Sequence, residues 1–298
     1  MKFKKNIAFL FGILALITYF SIQNLPYKEI PVLKLNQEKS FSIYLLKEDL
    51  LVPMTCRMNV KNDEDWMQQY LDYLTGIKKL KNAKSFELPK LKLLKGTIKD
   101  ETLTLQFNST FFEIKEDQEL LFLQSLIKMA QQIKGVKQLK ILVNEQELNQ
   151  MRYGTVIPKQ IQTYQSINSF VNEDVLLHDS QSLIVYRLLK QEGKVYYVPL
   201  ELRVSNQLSI KEKLQYIVSS SIYHKGLTSP FKQNDKIECS NEMINLQMKC
   251  MQEDETLKEQ ILNVIQLSLE ANGISQVKIK IFDKGLDYTK PVINQAEY

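Results

Sequence analysis

Apolar residues over Asp117–Val143 fall first at helical and then at strand spacing. Leu120, Leu123, Ile127 and Ala130 mark one helix face, and Phe122, Leu126, Met129 and Ile133 widen it. Gly135 follows as the expected left-handed C-terminal cap, with Lys134 in the last turn, where a cation suits the helix dipole. Val136, Leu139, Ile141 and Val143 then predict a short strand. The same helix–glycine–strand order returns over Glu255–Phe282. Gly273-Ile274 answers Gly135-Val136, and Ile279 and Ile281 answer Ile141 and Val143, all at one constant offset.

The repeat extends upstream. In the first copy, Phe41–Leu46 and Leu51–Val60 predict a hairpin, with Pro53 early in its second strand, where proline is tolerated. Asn62 is the expected N-cap of a helix through Leu74, stopped by Gly76. Asp63, Glu64 and Asp65 fill its first turn, and Trp66, Tyr70, Tyr73 and Leu74 form its buried stripe. Pro89 opens a second hairpin, Leu91–Ile98 and Thr102–Phe107, whose second arm alternates apolar and polar. In the second copy Tyr186 answers Tyr44, Val198-Pro199 answers Val52-Pro53, and Arg203 answers Arg57. Pro230 answers Pro89, and Asn245–Met248 answers Thr104–Phe107. Ser209 and Glu212 form a capping box for a helix to about Tyr223, and Thr256 with Glu259 is the expected cap of the last helix. Offsets drift only at turns, where insertion costs least.

Each copy therefore reads strand–strand–helix–strand–strand–helix–strand. The fold class is α+β: two tandem copies of a small twisted β-sheet, each covered on one face by two helices. The expected organisation has six parts. Residues 1–22 are a signal anchor, 23–39 an extended spacer, 40–148 the first domain, 149–180 a packed linker, 181–286 the second domain, and 287–298 a closing tail.

The anchor follows from Lys2, Lys4 and Lys5 preceding Ile7–Ile22, a run without charge. No Ala-x-Ala cleavage pattern ends that run, so an uncleaved single-pass helix is expected, lysines inside and the body outside the membrane. Three cysteines make no disulfide framework; Cys239 and Cys250 are the only near pair and sit out of register on a predicted hairpin.

Catalytic patterns are missing. Two histidines, His178 and His224, cannot supply a common zinc set, and no HExxH or GxSxG occurs. Ser219, Ser220, Ser221 and His224 share one predicted helix without an orienting acid. Nine glycines, never two together, leave no phosphate-cradling loop. No catalytic, metal or cofactor residue is assigned, and the chain reads as non-catalytic with no cofactor.

The one charge feature is the run from Lys78 to Lys95, absent from the second copy. Lys78, Lys79, Lys81 and Lys84 are its candidate contacts for a partner or an anionic polymer, against the plainer reading of a solvated loop guarding an edge strand. Aromatics interleave poorly with these lysines, which argues against nucleic acid, as does a net charge of only +5.

With the repeat in view, the chain resembles the sporulation and germination family named after GerM, with two tandem GerMN domains. Tyr44, Leu51-Val52-Pro53, Leu88-Pro89, Leu103–Asn108 running into Ser109 and Phe112, and Gly135–Val143 carry the likeness. In the second copy Tyr186, Val198-Pro199, Pro230, Leu246–Met248 and Gly273–Ile281 carry it. Members of that family are often lipoproteins, whereas no lipid-accepting cysteine stands near this N-terminus. Ser109 also lacks a counterpart in the second copy, where Cys250 falls nearby. The resemblance implies an anchored extracytoplasmic scaffold akin to ring-building modules, acting through self-assembly or other sporulation envelope proteins. The alternative is a module that binds peptidoglycan or another wall polymer.

Overall fold

The computed structural model describes residues 38–161, 166–169, 179–220, 224, 226–232, 235–239, 244–247, 254–274, 279–281, 284–285 and 292–298. The predicted anchor and most of the spacer lie outside the described residues, as do His178, Ser221, Tyr223 and Cys250. Among the described residues no helix is long and apolar enough to cross a membrane.

The first copy opens with β1 (Glu38–Lys47) and β2 (Leu50–Asn59), then α1 (Asp63–Thr75). Next come β3 (Leu93–Lys99), β4 (Thr102–Phe107), a 3-10 turn (Ser109–Glu113) and α2 (Glu116–Gln131), closed by β5 (Gln138–Val143) and β6 (Gln146–Leu148). The second copy has β7 (Ser180–Gln191), β8 (Lys194–Ser205), α3 (Ile210–Ser219), β9 (Leu227–Thr228), β10 (Lys236–Cys239) and β11 (Ile244–Gln247). It ends with α4 (Glu255–Ala271), β12 (Ile279–Ile281) and β13 (Lys284–Gly285). The mixed α+β class is as expected. In each copy the last long helix is the crossover between two parallel strands, β4 to β5 and β11 to β12.

The sheets differ from expectation. Each copy has two, not one: a hairpin sheet (β1-β2, or β8-β7-β9) and a separate four-stranded sheet (β3-β4-β5-β6, or β10-β11-β12-β13). The reason is visible on the outer edge of β1. Ser42 exchanges hydrogen bonds with the Gln132 amide, from its N–H at 3.0 Å and to its carbonyl at 2.8 Å. Tyr44 donates its N–H to the Tyr70 hydroxyl at 3.1 Å and accepts from the Ser125 hydroxyl at 2.8 Å. Leu46 pairs with Lys84. Side chains of α1 and α2, with Gln132 just past α2, thus stand in for a neighbouring strand along Ser42–Leu46. The second copy repeats the device. Asn272 clips Ile184, Ser268 accepts from the Tyr186 N–H, and Thr228 pairs with Leu188.

Local signals hold where they are short-range. The Asn62 side chain caps α1 by accepting from the Asp65 N–H at 2.8 Å, and Gly76 ends the helix at φ +88°. The Ser209–Glu212 capping box closes in both directions. Four details change, while the glycine cap expected at Gly273 holds. Leu120 is 45% exposed, because the buried arc of α2 takes Glu119 at its N-terminal end, where Tyr153 and Thr155 offer their N–H groups. The last helix is capped by Asp254, whose side chain accepts from the Leu257 N–H, not by Thr256. Gly273 at φ +68° closes a Schellman motif, with Gly273 bonded to Glu270 and Ile274 to Leu269. Gly135 does not cap its helix: α2 ends at Gln131, and the glycine turns the chain four residues later at φ +86°. Finally, α3 stops at Ser219, so His224 is not on the helix of the serine run.

Residues 38–298 form one compact unit. Its core runs without a break from Ile43, Val52 and Leu74 through Phe107, Phe122 and Ile141 to Val185, Leu200 and Ile265.

Candidate functional site

Two places in this unit concentrate polar chemistry: a lysine-bearing cleft in the first copy and the joint between the two hairpins.

The cleft is made by the chain reversal after α1. Left-handed Gly76 turns the backbone so closely onto Ser85 that a Cβ there would lie 2.5 Å from its hydroxyl. The returning segment then binds the helix-end carbonyls, Phe86 N–H to Leu74 and Leu88 N–H to Thr75, and bridges to β1 through Lys84. The resulting cleft measures about 410 Å³ and is lined by Leu45, Tyr73, Lys78, Lys79, Lys84 and Glu87, among others. Three of the four candidate lysines therefore share one cleft. Lys81 is not among its lining residues; its N–H binds the Glu297 carbonyl at 2.7 Å.

The lysines are not equivalent. Lys78 reaches the Gln69 amide oxygen at 3.3 Å and the Asp72 carboxylate at 4.0 Å, and stands 5.6 Å from the Tyr73 ring centre. Lys79 and Lys84 are exposed. All three sit by the negative end of α1, which itself favours cations there. Burial pushes the Tyr73 hydroxyl up to about 12, so it stays a neutral donor at any physiological pH. Cations beside a hydroxyl and an apolar floor suit a carboxylate or phosphate group carried on a larger partner. Among the described residues no group of three or more His, Cys, Asp or Glu side chains is placed to hold a metal.

The joint is built by two asparagines that spacing alone does not single out. The outer edges of β2 and β8 face each other across the halves. Buried Asn168 accepts from the Leu51 N–H at 2.8 Å and donates to the carbonyls of Leu51 (2.8 Å) and Pro199 (2.9 Å). Asn294 does the same with copies exchanged. It accepts from the Tyr197 N–H at 2.8 Å and donates to the carbonyls of Tyr197 (2.9 Å) and Pro53 (3.0 Å). Leu51 and Pro53 are the repeat counterparts of Tyr197 and Pro199, so the arrangement is pseudo-two-fold. Proline suits both edges, since it brings no N–H that would need a partner there.

Beside this joint lies buried Glu201, held by the hydroxyls of Ser169 and Ser182 and by Arg203 at 3.4 Å. Desolvation lowers Lys128 of α2 to about 8, opposed by the charge of Glu201. Arg187, 2% exposed, binds the Tyr186 carbonyl and Ser220, which ties β7 to the end of α3. Cys56 is buried, and its thiol is pushed up to about 11 by desolvation.

Comparison with known proteins converges on one group. Residues 42–149 match the family described as Germane, sporulation and spore germination. The structure superposes on the tandem GerMN domains of the sporulation protein GerM from Bacillus subtilis with a TM-score of 0.65 and 21% identity, covering 82% of this chain and 91% of that one. The chain is GerM-like: its first copy matches that family in sequence, and the two copies together share the fold of the tandem GerMN domains. In sequence it is 25% identical over 223 residues to the spore germination protein GerM of Bacillus subtilis strain 168. That match takes in 67% of this chain and spans 60% of the relative's length. In this GerM-like chain the positions that carry the resemblance are mainly architectural: Pro53 and Pro199 lie at the joint, and Tyr44 and Tyr186 are bonded to the crossover helices.

Proposed function

We propose that this protein is a membrane-anchored, extracytoplasmic, non-catalytic scaffold of sporulation or germination that works through protein contacts. The observation that carries the reading is how its polar groups are used. Glu119, Gln132, Asn168, Asn272, Asn294 and Arg187 each bind backbone and hold the fold together. The lysine-lined cleft is left as the feature that faces outward. The likeness to GerM supports the sporulation setting. Residues 1–22 serve as the anchor, with residues 40–148 and 181–286 as the two domains and the body outside the membrane. An anchor confines copies to one plane and raises their local concentration, so weak contacts suffice.

A second reading is favoured by the cleft itself: Lys78, Lys79 and Lys84 engage an anionic wall polymer, with peptidoglycan carboxylates as one source. One experiment separates the two. Purified protein is incubated with purified sacculi and, separately, with solubilised membranes of sporulating cells. Scaffold action predicts co-purified envelope proteins and no retention on sacculi. Retention that disappears by a few tenths molar salt, and in a Lys78→Gln/Lys79→Gln/Lys84→Gln variant, makes it a wall binder.

A further inference from the structure

The residues that close the chain dock on the other copy. Residues 292–298 run along the free edge of β2 as a parallel partner, with Gln295 opposite Thr55. Thr55 donates its N–H to the Asn294 carbonyl at 2.7 Å and accepts from the Ala296 N–H at 3.1 Å. Arg57 exchanges two bonds with the Tyr298 hydroxyl, at 3.0 and 3.2 Å. Asn82 accepts from the Glu297 N–H and donates to the Gln295 carbonyl, while Lys81 donates to the Glu297 carbonyl. The Tyr298 ring packs 6.4 Å from Tyr73. Residues 166–169, which follow the first copy, lie between the two: they bond Leu51 and Gln124 of the first and reach the second through Pro199 and through the Glu201 N–H, which binds the Ile167 carbonyl at 3.0 Å. Both following segments reach the neighbouring copy, and 292–298 makes most of its bonds there. That is the geometry of a swapped dimer, written within one chain.

We propose that the β2 edge, from Pro53 to Arg57 with Asn82 beside it, is an interaction surface for residues 292–298 of a second copy of this chain. Most of the bonds the segment makes are to the first copy; with its own copy it shares two bonds with Tyr197 and the Lys194–Glu297 pair. Exchange between chains keeps every contact to the first copy and changes only the chain that supplies the segment, which is why such swaps cost little. Within one chain the effective concentration favours self-docking, so exchange needs a high local density of copies, as anchoring in a plane would supply. The edge then links copy to copy by strand addition, through main-chain bonds with Asn294 and Tyr298 setting the register. The idea rests on the scaffold reading for its purpose only.

The test uses full-length chains carrying Thr55→Cys or Gln295→Cys, differently tagged, mixed and oxidised at rising concentration. A third chain carries both substitutions. Exchange predicts a product joining the two tags through residues 55 and 295. Its yield rises with concentration above that of a control mixing Gln295→Cys with Lys99→Cys on exposed β3. If the double variant bridges within itself while the mixed singles stay at the control level at every concentration, docking is strictly internal and the proposal is wrong. If the double variant forms no internal bridge, the edge does not hold this segment and the proposal falls as well. Neither failure touches the pull-down, since a chain that never exchanges can still recruit other proteins.

Discussion

Asn294→Ala tests the joint where it is most exposed to failure. Asn294 is 6% exposed and makes three side-chain hydrogen bonds, of 2.8, 2.9 and 3.0 Å, to two strands in different copies. Each such bond contributes about 0.5–1.5 kcal/mol net, and an N–H left buried without a partner costs about 1–3 kcal/mol. Removing the side chain strands the Tyr197 N–H and leaves the Pro53 and Tyr197 carbonyls with fewer donors. The expected loss is about 2–4 kcal/mol, large beside the ~1 kcal/mol of a typical substitution. The assay is urea unfolding followed by circular dichroism and by Trp66 fluorescence. Asn294→Ala should lower the midpoint with an unchanged slope, and Asn168→Ala should match it, since its bonds are the same by pseudo-symmetry. Exposed Asn206→Ala should leave the curve in place. The Asn168→Ala/Asn294→Ala double variant should separate the two probes, because Trp66 reports only the first copy. A loss under ~0.5 kcal/mol for both single variants, with coincident probes in the double, would refute the reasoning: β2 and β8 would then be held by packing alone.

Two further outcomes follow from the geometry. Burial lowers Lys128 from 10.5 to about 8, so the unfolded chain binds more protons between those values and stability should rise with pH across that window, by about 2–3 kcal/mol. Lys128→Met should flatten that rise. The comparison with wild type also cancels the opposite trend from Tyr44, raised from 10.0 to about 12, whose retained proton costs stability as pH climbs between those values. Gly76→Ala should cost about 1–3 kcal/mol, because it meets both a left-handed φ and the Ser85 hydroxyl, and a drop in melting temperature would report it.

Much of this protein is readable from neighbours in sequence. Asn62 and Asp65 lie three residues apart, as do Ser209 and Glu212, so their caps need no knowledge of the rest of the chain. The hairpin strands and the crossover helices were legible for the same reason: periodicity is local, and duplication wrote it twice. The errors fall where a distant group decides. Leu120 and Glu119 compete for one buried arc, and the amides of Tyr153 and Thr155, over thirty residues away, settle it for the glutamate. The lysine cleft was half legible, since a charge run announces itself, but only the turn at Gly76 decides that Lys78, Lys79 and Lys84 share a cleft and Lys81 does not. The separate hairpin sheet and the two asparagine joints were not legible at all. Asn168 meets Leu51 across 117 residues, and Asn294 meets Pro53 across 241. A hydrogen bond is a contact in space, and nothing in an asparagine's neighbours announces which distant carbonyl it will meet. Order and periodicity of elements belonged to the sequence. Which edges are sealed, by which side chains, and how the two copies lock together, was decided by tertiary packing, because unpaired backbone on β1, β2 and β8 takes whatever partner the closed fold brings within reach.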